Sequence, residues 1–254
     1  KKRISIVNAS EVIDNNESPV FALRRKKDSS TVRALEIIKG DGNAAFISAG
    51  STGALFAGGL LICGRINGVE RPALATALPA KNGVSLLLDS GANVDCDVKN
   101  IVEFAVLGSA YMKSVFGLEN PRVGLINNGA EEEKGNALVK ETFPLLKECK
   151  GINFIGSIEA RDIPAGYADV VVCEAFVGNV ILKLYEGVGS ALVHKIKEGM
   201  MTSLRSKVGA LLVKPALKET LKSFDASEYG GAPLLGLKGL VVKTHGSAKA
   251  VEIK

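Results

Sequence analysis

Tryptophan is absent from this 254-residue chain, and aromatic residues of all kinds make up only 5% of it. Proteins that stack the bases of single-stranded nucleic acid need aromatic platforms, so no nucleic-acid partner is expected. Cysteine is scarce as well. The four present, Cys63, Cys96, Cys149 and Cys173, stand far apart and form no C-x-x-C pair. That spacing argues against zinc and dithiol redox sites, so no metal or cofactor is expected. Free thiols in a reducing compartment are the simplest reading. Any histidine chemistry must use His194 or His245. No apolar run of membrane-spanning length and no leader with a cleavage site is evident, which reads as a soluble, cytoplasmic protein.

Several catalytic signatures are missing too. No G-x-G-x-x-G follows a strand, and no G-x-x-x-x-G-K-[ST] occurs anywhere. A G-x-S-x-G elbow is also absent, because Phe46 stands where its first glycine would precede Ser48. Dinucleotide enzymes, P-loop NTPases and ordinary serine hydrolases all lose ground. Cys96 lies between Asp95 and Asp97, whose carboxylates should suppress its thiolate, and Cys173 sits in an apolar run. A covalent thioester enzyme is disfavoured.

What the chain does have is glycine, 28 residues against eight prolines, within a 46% hydrophobic composition. One unit recurs: a short apolar run, a small or polar loop, then a helical pattern. It is seen in "AAFISAGSTGALFAGG", "VSLLLDSGANVDCDVKN", "RVGLINNGAEEEKGNALVK", "ADVVVCEAFVGNVILK" and "GLVVKTHGSAKAVEIK". Apolar strands alternating with helices predict a single α/β domain over residues 1–254, a mostly parallel sheet with helices on both faces. The loops at 48–53, 89–97, 127–136, 174–179 and 244–247 should then gather along one sheet edge and line one cleft. From about residue 194 to 223 the pattern becomes a long amphipathic helical segment, interrupted at Pro215 and expected to protrude as a hairpin with "GALLV" near its tip. Lys195–Lys222 holds seven basic residues against two acidic ones, which accounts for the whole net charge of +5. A basic face so localised points to one acidic partner or surface.

Within the loops, Ser48, Gly50, Ser51 and Thr52 of "SAGSTG" place backbone N–H groups and hydroxyls at a helix start, which suits an anion. The same stretch would also serve as a tight turn. Gly178 and Asn179 of "FVGN" are a shorter version. Lys134, after three glutamates and between Gly129 and Gly135, is either a solvated charge or a cation presented to the cleft. His245 can donate to an anion or transfer a proton, or serve only as a turn residue.

Taken together, "RRKKDSS", "FISAGSTGAL", "GRINGVERPALA", "LLDSGANVDC", "RVGLINNGAEEEKGN", "NFIGSIEARDI", "ADVVVCEAFVGNVILK", "YGGAPLLGLKG" and "THGSA" resemble one family, the PlsX-type phosphate acyltransferases of bacterial phospholipid synthesis. They occur in family order across almost the whole chain. The family's opening strand and "DAMGGD" loop have no counterpart here, and the helix after "THGSA" is shorter. The resemblance implies transfer of a fatty acyl group from acyl carrier protein to inorganic phosphate. It also implies a fold similar to the isocitrate/isopropylmalate dehydrogenase type and a homodimer. Phosphate is then the nucleophile, and the sequence needs no activated serine or cysteine. On this reading Lys134 and His245 are catalytic. Ser48, Gly50, Ser51, Thr52, Asn93, Asn127, Gly178, Asn179 and Ser247 bind phosphate or substrate. Met200, Leu204, Arg205, Lys207, Leu211, Leu212 and Lys214 meet the carrier protein or an anionic membrane, giving a cytoplasmic enzyme at the membrane periphery. Two rivals remain: a short-chain acyl-CoA:phosphate acyltransferase, and a non-catalytic membrane scaffold for lipid enzymes.

Overall fold

A computed structural model describes residues 3–81, 83–222, 229–246 and 248–253. The recurring units form where the sequence places them. β1 (Ala45–Ser48) leads to α3 (Thr52–Gly58), β4 (Gly83–Leu88) to α4 (Val98–Phe116), β5 (Arg122–Ile126) to α5 (Ala137–Glu148), and β7 (Val170–Val172) to α6 (Ala175–Met200). Their helix starts are capped locally. Asp97 forms a reciprocal capping box with Asn100, and the Asn136 side chain accepts the Val139 N–H at 2.9 Å. Gly117 ends α4 in the left-handed conformation, where a side chain would be strained.

The sheet differs from expectation. Two sheets form among the described residues, not one. The larger runs β3 (Thr76–Ala80), β4, β7, β5, β6 (Asn153–Ile158), and every neighbouring pair except β3/β4 is parallel. The smaller runs β1, β9 (Leu240–Lys243), β8 (Ala232–Leu235), β2 (Ala73–Leu74), with only β1/β9 parallel. The reason lies in "PALATALP". Its first residues pair with β8 and its last with β4, so one extended stretch serves both sheets. β8 contains Pro233 and is too short to show a period, and it was not anticipated.

Helices cover both faces of the larger sheet. Phe104, Ala105 and Met112 of α4 and Phe143 and Leu146 of α5 pack on Leu86, Leu88, Val123, Leu125, Val170 and Val172. On the other face Val177, Ile181 and Leu182 of α6 meet Leu87, Ile126 and Val171. Alternation along each strand sends successive side chains to opposite cores. Helices α1 (Pro19–Arg25) and α2 (Ser30–Gly40) and the π-helical turn Gly59–Cys63 close over the smaller sheet and its neighbours.

The helical segment also departs from the sequence reading. α6 runs unbroken through residue 194, turns at residues 201–203, and returns as α7 (Leu204–Lys222), which continues through Pro215. The tip of the hairpin is therefore Met201–Ser203, and "GALLV" lies within α7. The sequence shows no evident apolar run of membrane-spanning length, yet by length and composition alone α6 is apolar enough to cross a membrane, and 6% of its apolar window is buried.

One acid-sensitive tie holds the N-terminal segment. Asp28 accepts from the Ser10 hydroxyl, the Ser10 N–H and Arg33 Nε, and these bonds lower its pKa from 3.8 to about 2. A carboxylate depressed in the folded state stabilises above its unfolded value and loses that contribution as pH falls through the folded one. Hydrogen exchange at the Ser10 and Glu11 amides, taken relative to the intrinsic rate at each pH, should therefore accelerate between pH 3.8 and about 2. Asp28→Asn should show the same acceleration at neutral pH.

Candidate active site

The parallel strands β4, β7, β5 and β6 all point their C-terminal ends to one edge, and β1 and β9 end together at Ser48 and Lys243. Between the two sheets, at these strand ends, lies a cavity of about 330 Å³. Thr52 opens α3 into it, Ser90 and Gly91 follow β4, Asn179 and Lys183 project from α6, and Lys243 and His245 come from β9 and its loop. Leu74, Ala77 and Leu182 give it an apolar wall. Polar groups converging on a partly apolar cleft at the C-terminal ends of parallel strands are what a ligand site in such a fold requires.

Asp89 builds the loop after β4. It is fully buried and accepts five N–H bonds, from Leu74 N, Gly91 N, Ala92 N, Asn93 N and Asn93 Nδ2, at 2.6–3.1 Å. Burial pushes its pKa up, against the pull of these donors. The folded loop aims Ser90 at Thr76, with their hydroxyls 2.6 Å apart. Asn93, expected to bind substrate, faces inward instead. It is 2% exposed, and its amide nitrogen donates to Pro72 O and Asp89.

The cationic groups are unequally placed. Lys183 Nζ lies 2.9 Å from Glu186, which also lines the cavity. Lys243 is half-buried. Burial drives its ammonium pKa down, and the nearby Lys183 charge adds to the effect. Lys134 lies outside this lining. It follows β5, one strand beyond β7 from the cavity, and its ammonium pairs with Glu131 at 2.8 Å. That bond, then the charges of Glu131, Glu159 and Glu133, raise its pKa. The bracketing glycines have steric causes. A Cβ on Gly129 would sit 2.5 Å from Lys134 Cδ, and Gly135 has φ +105° with Asn127 Oδ1 only 2.7 Å from where its Cβ would be. Asn127 is spent on this loop, its amide donating to Lys134 O and Ser157.

The remaining predicted cradle is partly committed to local structure. Ser48 Oγ accepts the Gly50 N–H, Ser51 Oγ caps Ala54 N, and the Gly178 N–H is taken by Glu174 O. Thr52 and Asn179 do reach the cavity. Ser247 lies outside the described residues.

The family model described as "Fatty acid synthesis protein" matches residues 1–254. The phosphate acyltransferase of Thermoanaerobacter pseudethanolicus is 54% identical over 253 residues, which span 100% of this chain and 76% of that protein. That of Clostridium acetobutylicum is 51% identical over 254 residues, again spanning 76% of its length. The chain belongs to the phosphate acyltransferase family of fatty acid and phospholipid synthesis. The fold of this phosphate acyltransferase is also that of solved phosphotransacetylases. EutD phosphotransacetylase from Staphylococcus aureus superposes with a TM-score of 0.60 at 17% identity, over 93% of this chain and 74% of that one. A phosphotransacetylase from Streptococcus pyogenes gives 0.58 at 16%, over 95% and 73%.

Cys96 and Cys173 of the acyltransferase are poor nucleophiles, as expected, though the cause differs at Cys96. Burial, and then the charge of Asp89, push its thiol up to about 12, while its sequence neighbour Asp97 contributes least. Burial likewise raises Cys173. The sequence reading passed over Lys183 and Lys243. A signal for Lys183 was present, since it stands four residues after Asn179 and so on the same helix face. Lys243 directly precedes the "THGSA" loop.

Proposed function

We propose that this acyltransferase moves a long-chain acyl group from acyl carrier protein to inorganic phosphate, releasing acyl phosphate. The observation that supports this best is the cavity, where an apolar wall for the acyl end faces lysines and hydroxyls for the anion. In the step, a phosphate oxygen bonds to the thioester carbonyl carbon and the carbon–sulfur bond breaks. The thiolate leaves, and the proton of hydrogen phosphate passes to it as the free thiol. His245, which lines the cavity, relays that proton in this reading. Lys134 offsets charge that develops on the reacting phosphate. We read the two-sheet architecture as a member of the isocitrate/isopropylmalate dehydrogenase type.

The hairpin supplies the partner surfaces. Phe176, Val180, Leu184, Val188 and Leu192 recur every fourth residue along α6, all exposed in the single chain. A homodimer covers this stripe in our reading. The outer part, with Met200, Leu204, Leu211 (72% exposed) and Leu212 beside Arg205, Lys207 and Lys214, is left to the acidic carrier protein and an anionic membrane surface. The first turns of α6 line the cavity, which favours a peripheral helix over a spanning one.

The test assays purified protein with phosphate and either acyl carrier protein or coenzyme A thioesters, trapping acyl phosphate. Preference for the carrier-protein donor is expected. Leu211→Glu should lose salt-sensitive binding to anionic vesicles. Turnover of short-chain coenzyme A esters alone would favour the phosphotransacetylase-like rival. No turnover with any donor would leave the scaffold reading.

A further inference from the structure

Lys243 ends β9 and Lys183 stands on the third turn of α6, so two lysines from different elements line one cavity. Lys183 has Glu186 as a counter-ion, 2.9 Å away. Among the described residues no carboxylate forms an ion pair with Lys243, whose ammonium donates to the Thr244 carbonyl and which lines the cavity. A half-buried cation beside a second cation is costly unless an anion offsets both. Burial, and then the Lys183 charge, push the Lys243 pKa down. Thr52 and Asn179, whose side chains accept or donate hydrogen bonds, line the same space.

We propose that Lys243, assisted by Lys183, is the seat of the phosphate substrate. The proposal rests on the reading of this protein as a phosphate-consuming acyltransferase. Lys243 holds the oxygens that do not react, and Lys183 turns from Glu186 towards the anion. A dianion between the two lysines removes their mutual repulsion and stabilises the protonated form of Lys243. Binding of phosphate alone is therefore accompanied by proton uptake at alkaline pH. Lys134 has a separate task. It stands on another loop and acts on charge that develops during reaction, so loss of Lys134 falls on kcat and loss of Lys243 falls on the phosphate KM.

The test measures inorganic phosphate binding to the full chain by calorimetry without an acyl donor, then steady-state kinetics. Lys243→Met should weaken phosphate roughly 10- to 100-fold, the scale of one charged hydrogen-bonding partner, and leave the acyl-donor KM within about twofold. Lys243→Arg, which keeps the charge, should recover most of the loss. Lys183→Met, on an exposed helical position, should weaken phosphate in the same direction and decides the matter if Lys243→Met does not fold. Unchanged phosphate affinity in the folded variants, or equal rises in both KM values, overturns the proposal. If the wild type turns over while Lys243→Met keeps its phosphate KM, the seat is wrong and acyl transfer stands. If phosphate binds through Lys243 but no donor turns over, the seat stands and acyl transfer falls.

Discussion

Lys134→Ala is expected to lower turnover by roughly two to three orders of magnitude, the usual loss on removing one group that stabilises developing charge. The phosphate KM should change far less. The loop around Lys134 is built to hold its side chain in one place. Gly129 leaves room for the lysine stem to lie on the backbone, Asn127 ties down the Lys134 carbonyl, and Glu131 holds the ammonium at 2.8 Å. Three carboxylates nearby keep it protonated far above neutral pH. The cation is thus dependable at any working pH, as a group that offsets phosphate charge must be. Because the Lys134 side chain is about half exposed, its loss should leave the melting temperature nearly unchanged. Steady-state kinetics beside a thermal melt separates the two effects. Near wild-type turnover in the folded Lys134→Ala protein would remove Lys134 from the mechanism.

Gly178→Ala should have the largest effect on the fold. A Cβ there would stand 1.9 Å from the Asp89 carbonyl oxygen and 2.9 Å from its carbon, with Cys173 Sγ at 3.2 Å. Real atoms do not approach so closely, and what blocks the methyl is backbone, which no rotamer change can move aside. Either α6 lifts from β7 or the Asp89 loop shifts. The first uncovers Val177 and Ile181 where they pack on Leu87, Ile126 and Val171, and the second breaks up the five donors around the Asp89 carboxylate. Overpacking of this kind costs about 3 kcal/mol at the upper end of its usual range. For a chain of this size that is a fall in Tm of roughly 6–12 °C. Activity should fall with it, since Ser90, Gly91, Asn179 and Lys183 all hang from the two displaced segments. An unchanged melt for Gly178→Ala would mean that α6 and the Asp89 loop are not in this contact in solution.

Gly178 also shows where a sequence reading stops. Its place in "FVGN" before a helix suggested an anion cradle, and its N–H proves to be used within α6 by Glu174. Glycine at a helix start has two uses, exposing backbone to a ligand or admitting another backbone, and a linear motif does not distinguish them. The same holds for Asn93 and Asn127, polar residues in the right loops whose hydrogen bonds all turn inward to shape those loops.

The amino-acid sequence by itself determined the strand and helix units, the cap at Asn136, the low reactivity of Cys96 and Cys173 and the family. Each of these rests on local periodicity, on side-chain-to-backbone bonds within three or four residues, or on long runs of shared motif. Only the tertiary structure decided that residues 73–80 divide between two sheets, that α6 runs straight through residue 194, and that Lys183 and Lys243 share a cavity from which the Lys134 loop is set apart. Those outcomes depend on which strands become neighbours. In the order β4, β7, β5 a single intervening strand, about 4.8 Å of sheet on each side, spaces the Lys134 loop from the Asp89 loop along the same edge.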